Sequence, residues 1–578
     1  MCHKPHAGRK ISVGFYIKGR FMKNNSKFPE TVGLTSQFQS LLLFLCLLIF
    51  ASSCARLGNY AREHADKEAY KVIAAKQREA LGRADEFSIA PTNDEITSRV
   101  LSESPRLNLA NDTFTTPAYT LSLADAMAIA IANNRDYKSR RESFYNQALS
   151  LIETRRNYQF LYTASANESL TRTEEGDTVE RYGSRGFSAG VSKVLATGAN
   201  ITLDFSHSFV RYFTHDPRPS ASNSMSFSIV QPLLRGAGSL VALESLRQAE
   251  RSMIYSARDF RRYQQEFIIT VADGYYGLLS ARDYLVNAEK NYKSTTDNLR
   301  YLQELASAGR KSGIEVDQAR QKVLEAESSL SSTQKAYGQQ LDQFKIFLGI
   351  PMTLDVGPDP VELNRIAERG LLRPDMTLSQ AIDIALKDRL DLKNAQDAVE
   401  DSERAVKIAL QNFLPNLNAS YNYSTSTGDD KDRVRLDFRD NTNVFSLDLG
   451  LPFDWTPRRN DYRRSLISAN QAKRSLEQFR ENLILEVRNN WRELEDSRTE
   501  YRIQVESVRL AERRVKSTSL FLQSGRATAR DLLDAQDALL SSRNALTNAL
   551  VRHTIQRLRF WNSIERLIID EKGMWQEK

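Results

Sequence analysis

Near the end of the chain Leu532, Leu539, Leu546 and Phe560 fall on one seven-residue stripe, with His553 in the remaining place. Val316, Val323, Leu330, Tyr337 and Phe344 form a second such stripe. A sustained seven-residue period predicts helices that wind about their neighbours, and within it His553 reads as a buried structural histidine. Helical spacing with almost no Gly or Pro covers 121–157 and 377–413, then about 236–308 and 457–523, and finally 313–348 and 527–570. The longest would reach about 110 Å at 1.5 Å per residue. Few compact folds can use such a length.

Between these stretches the period changes to two. In 415–424 one face reads Pro415, Leu417, Ala419, Tyr421, Tyr423 and the other Asn416, Asn418, Ser420, Asn422, Ser424. In 200–209 Ile201, Leu203, Phe205, His207 and Phe209 oppose Asn200, Thr202, Asp204, Ser206 and Ser208. Segments 224–229 and 445–451 alternate in the same way. Half-exposed strands of a soluble sheet also alternate. Faces made almost wholly of Ser, Thr and Asn, with aromatics opposite, fit better a barrel that is wet inside and lipid-facing outside.

The pattern occurs twice. "LSLADAMAIAIANNRDYK" (121–138) aligns with "MTLSQAIDIALKDRLDLK" (376–393) at an offset of 255, and Gly309, Ala319 and Phe344 match Gly525, Ala535 and Phe560 at an offset of 216. The chain is therefore two copies of one unit, helix, strands, long helix, break, helix, taken as residues 116–358 and 359–578. Strands are expected at about 158–232 and 414–452. The first copy holds 39 extra residues and four alternating segments (160–171, 187–194, 200–210, 224–231) against two (415–425, 444–451) in the second. The surplus is expected to be a hairpin extending beyond the membrane, the alternative being added barrel strands.

The N-terminus changes the charge picture. The chain carries +8, but seven Lys/Arg and one Glu lie in residues 1–53, so the remainder is nearly neutral. That gives no reason to invoke nucleic acid. "LLLFLCLLIFA" (41–51), preceded by lysines and followed by "SSC", has the layout of an export signal and is too short to span a membrane. Residues 1–53 read as a signal peptide, with the true start at Met22. "ASSC" resembles a bacterial lipobox, which would make Cys54 an acylated N-terminus; ordinary signal-peptidase cleavage is the alternative. Cys54 is then alone in the mature chain, so no intrachain disulfide forms. Residues 54–115 fit neither copy and read as a partly helical tether.

Taken together, the two repeat openings, "QPLLRG" (231–236), "LPFDW" (451–455) and the two helix starts after Gly309 and Gly525 resemble the TolC-type outer-membrane efflux proteins. The resemblance covers about 118–570. It implies a mainly α protein with membrane β-structure: a homotrimer whose protomers each lend four strands to a shared outer-membrane barrel, continued by a periplasmic α-helical barrel. A periplasmic adaptor and an inner-membrane pump would dock at its far end. The function implied is a channel for efflux or type I secretion; a periplasmic coiled-coil adaptor or structural lipoprotein without a pore is the alternative. No catalytic, cofactor or metal motif is present: the histidines are scattered, and there is no HExxH, phosphate loop or nucleophile elbow.

The turns at "AGRKSGIEVDQA" (308–319) and "SGRATARDLLDAQDALL" (524–540) stand out. Gly309 and Gly525 end one helix; Ser312 with Glu315, and Thr528 with Asp531, make capping-box patterns for the next. These residues are expected to form the tip and the adaptor contact region. Capping leaves Asp534, matched by uncharged Gln318, unexplained. In the family, acidic residues at the positions of Asp531 and Asp534 ring a constricted entrance, so both are candidates for a selectivity ring. The family's latching arginine would fall at Ala527, so that latch is not expected here.

Overall fold

The computed structural model describes residues 58–89, 119–175, 178–214, 219–427, 436, 438–570 and 574–577. Cys54, the proposed signal peptide and residues 55–57 and 90–115 of the tether lie outside them. The chain divides into two units, 1–67 and 68–578. Of the first, residues 58–67 are described and helical; everything below concerns the second.

Residues 68–81 are helical (α1). Strand β1 (Tyr119–Leu121), α2 (Leu123–Asn133) and α3 (Arg135–Arg156) lead into four strands, β2 (Leu161–Glu175), β3 (Thr178–Val194), β4 (Asn200–Tyr212) and β5 (Pro219–Pro232). A short helix α4 (Ser239–Ala242) precedes the long α5 (Glu244–Ser307), which turns into α6 (Gly313–Leu348). After β6 (Val356–Pro358) and α7 (Val361–Arg369) the unit repeats: α8 (Leu378–Asp388), α9 (Leu390–Gln411), β7 (Asn416–Ser426), β8 (Asn441–Gly450), α10 (Thr456–Gln523) and α11 (Ala529–Ser563). A small hairpin, β9 (Leu567–Ile569) with β10 (Trp575–Glu577), closes the described chain.

Two sequence expectations are corrected here. The segments 121–157 and 377–413 are each two helices, broken at Asn134 and Arg389. The last helix stops at Ser563 rather than continuing to 570, because the chain turns there into β9. The surplus of the first copy is not set apart from the sheet. All six long strands form one antiparallel sheet in the order β2-β3-β4-β5-β7-β8, and β2 pairs with β3 along its whole length from Leu161↔Ser192 to Glu175↔Thr178.

The two sheet faces differ as the period-two pattern requires. One carries Ser165, Ser188, Ser206, Ser224, Ser228, Asn422 and Ser446, with hydroxyls 2.7 Å apart in the pairs Ser165–Ser188 and Ser206–Ser224. The other presents Tyr162, Phe187, Leu203, Phe445, Leu447 and Leu449, all exposed in the protomer. An apolar face left open to this extent needs a hydrocarbon environment or a partner.

The main core sits where the helices break. Met127, Phe144, Leu151, Val271, Tyr275, Leu278, Phe344, Val487, Leu494, Leu558 and Phe560 meet there, each largely shielded from water. Residues of the expected tether join it: Ala69 and Ile73 are fully buried, and Phe87 packs edge-on against Phe144 and Phe260. The duplication is visible in the bonding. Asn134 Nδ2 donates to the Phe347 carbonyl at 2.7 Å; at the equivalent place Arg389 donates to the Ser563 carbonyl at 3.0 Å. Gly349 has φ +75°, and its counterpart Glu565 is the one non-glycine with positive φ, +60°, among the described residues. Glu565 there accepts from Arg262 at 3.2 Å, an ion pair glycine could not make.

The seven-residue stripes face inward. Phe560, Leu532, Tyr337 and Phe344 are buried and Leu539, Leu546, Val323 and Leu330 half-buried. His553 is buried as expected, its Nδ1 3.1 Å from Ser497 Oγ. Burial, with the positive charges of Arg557 and Arg498, pushes its pKa down to about 4. The unfolded chain would take up this proton near pH 6.5. The contribution to stability is therefore complete above about pH 6.5 and is lost as pH falls toward 4. His553→Gln is expected to flatten the dependence of the urea midpoint on pH in that window; an unchanged slope would mean that His553 titrates as in the unfolded chain.

Candidate functional site: the helical tips

Both hairpin tips are built by the same local device. At the end of α10 the Gly525 N–H donates to Leu522 and the Arg526 N–H to Phe521; at the end of α5 the Gly309 and Arg310 N–H groups donate to Ala306 and Leu305. This is the Schellman pattern, which needs a left-handed residue just past the helix. Gly309 and Gly525 supply it, at φ +73° and +74°. Three residues later the next helix starts with a capping box. Ser312 Oγ accepts from the Glu315 N–H at 3.3 Å while Glu315 accepts from the Ser312 N–H at 3.1 Å. Thr528 Oγ1 accepts from the Asp531 N–H at 3.3 Å, and Asp531 Oδ2 accepts from the Thr528 N–H at 2.9 Å and its hydroxyl at 2.7 Å.

The tips are held together by a small cluster in which Leu302 of α5, Ala319 of α6 and Ala529 of α11 are buried against one another. Small residues let the three helices approach closely here. One turn deeper, Lys322 of α6 bridges to Asp537 of α11 at 3.0 Å and to Glu325 at 2.8 Å, and Gln536 donates to Ser294 at 2.8 Å. Sequence reasoning missed these cross-helix links. Each residue is an ordinary polar side chain in its own helix, and only the packing pairs them.

The two aspartates differ in what engages them. The Thr528 hydroxyl and then its N–H hold the Asp531 carboxyl below the usual range, so it is ionised at neutral pH. Glu315 is held low as well, first by Lys311 at 2.8 Å and then by its own cap. Asp534 lies one turn along α11 from Asp531 on the same exposed face, while Leu532, Leu533, Ala535 and Gln536 turn inward. Gln318, its counterpart on α6, is exposed but uncharged. The structure thus puts Asp531 in a cap and Asp534 outside it, and brings both to one face.

Among the described residues no helix is long and apolar enough to cross a membrane, and no cluster of His, Cys, Asp and Glu could hold a metal ion. Any membrane crossing by these residues falls to the strands.

A two-faced antiparallel sheet continued at one end by long helical hairpins suits a protein that crosses a membrane with strands and extends from it with helices. Residues 188–349 and 381–561, more than half of the chain, match the outer membrane efflux protein family. The chain belongs to that family. It is 22% identical over 346 residues to the alkaline protease secretion protein AprF of Pseudomonas aeruginosa, covering 59% of this chain and 69% of AprF. Its fold is similar to the CmeC outer membrane channel of Campylobacter jejuni (14% identity, TM-score 0.56, 82% of this chain and 96% of CmeC). It is similar also to the open MtrE outer membrane channel of Neisseria gonorrhoeae (15% identity, TM-score 0.56, 80% and 96%). The protein is an outer-membrane channel, not an enzyme.

Proposed function

We propose that three copies of this chain assemble into one conduit that carries cargo from a periplasmic adaptor and inner-membrane pump to the cell exterior. The observation that carries this reading is the unfinished sheet. One protomer offers six strands with two free edges and an exposed apolar face, and neither edge is tolerable in lipid unless another chain completes the wall. The long hairpins α5–α6 and α10–α11 would complete a helical tunnel in the same way.

At its far end Asp531 and Asp534 would form the selectivity ring, and the surfaces around Gly309, Ser312, Glu315, Gly525 and Thr528 would meet the adaptor. Acylation of Cys54, read from "LLLFLCLLIFASSC", would add a lipid anchor in the outer membrane. AprF is by its name a secretion protein, which favours secretion among the possible cargo routes. An adaptor without a pore would have no use for strands with one largely polar face.

The test is fractionation and reconstitution of the full chain. A heat-modifiable trimer in outer membranes that forms pores in planar bilayers is expected. Extraction with the inner membrane and no conductance would overturn the reading.

A further inference from the structure

At the offset of 255 β2 matches β7, and β5, like β8, returns to the long helix, so β3 and β4 are the part of the sheet that the duplication does not explain. We infer that they are staves of the barrel wall and that β8 of one copy pairs with β2 of the next, so that three six-stranded sheets close an 18-stranded barrel. This rests on the trimeric channel reading above.

Four observations carry it. First, β3 pairs with β4 from Val194↔Asn200 at the base upward, so the hairpin leaves the helical side of the sheet level with the other strands. Second, β2 and β3 keep the two-faced pattern of the rest. Thr163, Ser165, Asn167, Ser188 and Gly190 continue the polar face, and Tyr162, Ala164, Ala166, Val191 and Phe187 the apolar one. A flap outside the membrane has no need of that alternation. The apolar face is charged at its base, by Lys193 over the Phe160 ring, and again higher up, at Glu168–Arg185 (2.8 Å) and then at the pair Arg172–Glu174, as expected where a wall leaves lipid.

Third, the parity is right. Six antiparallel strands leave β8 running opposite to β2, so a rotated copy can add its β2 to β8 by antiparallel pairing. Fourth, the stagger is right. The registers carry Leu161 of β2 across the sheet to Val444 of β8, six residues short of that strand's end at Gly450. With strand bases level, three such steps tilt the strands by about 35°, within the range of closed membrane barrels.

The consequence is a wide exit. At about 4.8 Å between strands and that tilt, 18 strands enclose a backbone diameter of roughly 35 Å, against roughly 23 Å for twelve. Lined by Ser, Thr, Asn and Gly, it suits a bulky hydrophilic cargo rather than a drug-sized apolar one.

Level bases put Ser446 of β8 opposite Ser165 of the neighbouring β2. If only β4, β5, β7 and β8 formed the wall, β8 would instead meet the neighbouring β4, with Ser446 opposite Asp204; if β3 and β4 alone were left out, β8 would still meet β2, and the strand count below decides that case. The full chain is therefore expressed as Ser165→Cys/Ser446→Cys and as Asp204→Cys/Ser446→Cys. Thr163→Cys and Asn167→Cys, each with Ser446→Cys, cover one register step to either side. Native outer membranes are oxidised and run without reductant. The expected result is a shift of most of the chain from monomer to dimer and trimer bands in a β2–β8 variant, and none in the Asp204 variant. A cross-link through Asp204, or an intact trimer with no β2–β8 cross-link in any register, overturns the inference while leaving the channel reading standing. A chain that is not trimeric in the membrane overturns both. Imaging of the detergent-solubilised trimer should count 18 strands; twelve would be decisive against it.

Discussion

Neutralising Asp531 and Asp534 together is expected to lower the cation-over-anion permeability ratio of the reconstituted channel by on the order of fivefold in dilute salt. Three copies would place six carboxylates around the entrance, and charges so grouped at a narrow mouth concentrate cations locally. The effect should fade in molar salt, where the screening length falls to about 3 Å. Asp531→Asn/Asp534→Asn separates charge from structure, because the asparagine at 531 keeps an oxygen that can accept the Thr528 N–H now bonded to Asp531 at 2.9 Å. Asp534→Ala tests the ring with the cap untouched, since Thr528 bonds Asp531 alone; it should also relieve block by multivalent cations. Reversal potentials in a salt gradient provide the measurement. Unchanged selectivity in the Asp531/Asp534 double alanine variant would leave the pair with no role beyond the cap.

Arg389→Ala should be among the most damaging single substitutions, costing about 3–5 kcal/mol of folding stability. Arg389 is 3% exposed at the break between α8 and α9. Its guanidinium donates to Asp391 at 2.7 and 3.0 Å, to both Glu486 oxygens at 3.0 Å and to the Ser563 carbonyl. Burial opposes its charge, yet the bonds to Asp391 and Glu486 outweigh that and its pKa is raised. Alanine would leave two carboxylates and a carbonyl without their shared donor. The first copy reaches the equivalent carbonyl with Asn134 in place of Arg389, while Thr270, in place of Glu486, donates to the Glu266 carbonyl of its own helix. Arg389→Asn/Glu486→Thr transplants that solution and should recover much of the loss. Denaturant midpoints of the three variants decide it; an alanine variant as stable as the parent would mean that water takes over the arginine's bonds.

Much of this was legible before the structure because the signals are local. A seven-residue stripe, a period-two face and the series Gly309, Ser312, Glu315 each describe what one segment does with its own backbone. The tips show how far that goes: the capping boxes follow from residues three apart, and the left-handed turns from the two glycines. The breaks at Asn134 and Arg389 were missed because helical periodicity runs through them. What ends the helices is a bond to a carbonyl some 200 residues away in sequence, at Phe347 and Ser563.

By itself, then, the sequence determined the duplication, the element types, the two-faced strands and the chemistry of the tip, since all of these are written in spacing along one chain. Which strands share a sheet is a different kind of fact. β2 and β3 alternate like any other strands, and no residue in them says whether they stand in the wall or above it. Only the tertiary structure decided that they share one sheet with the other four strands, by hydrogen-bonding β3 to β4 from the base upward, because register between strands is set by pairing across space and not by order along the chain.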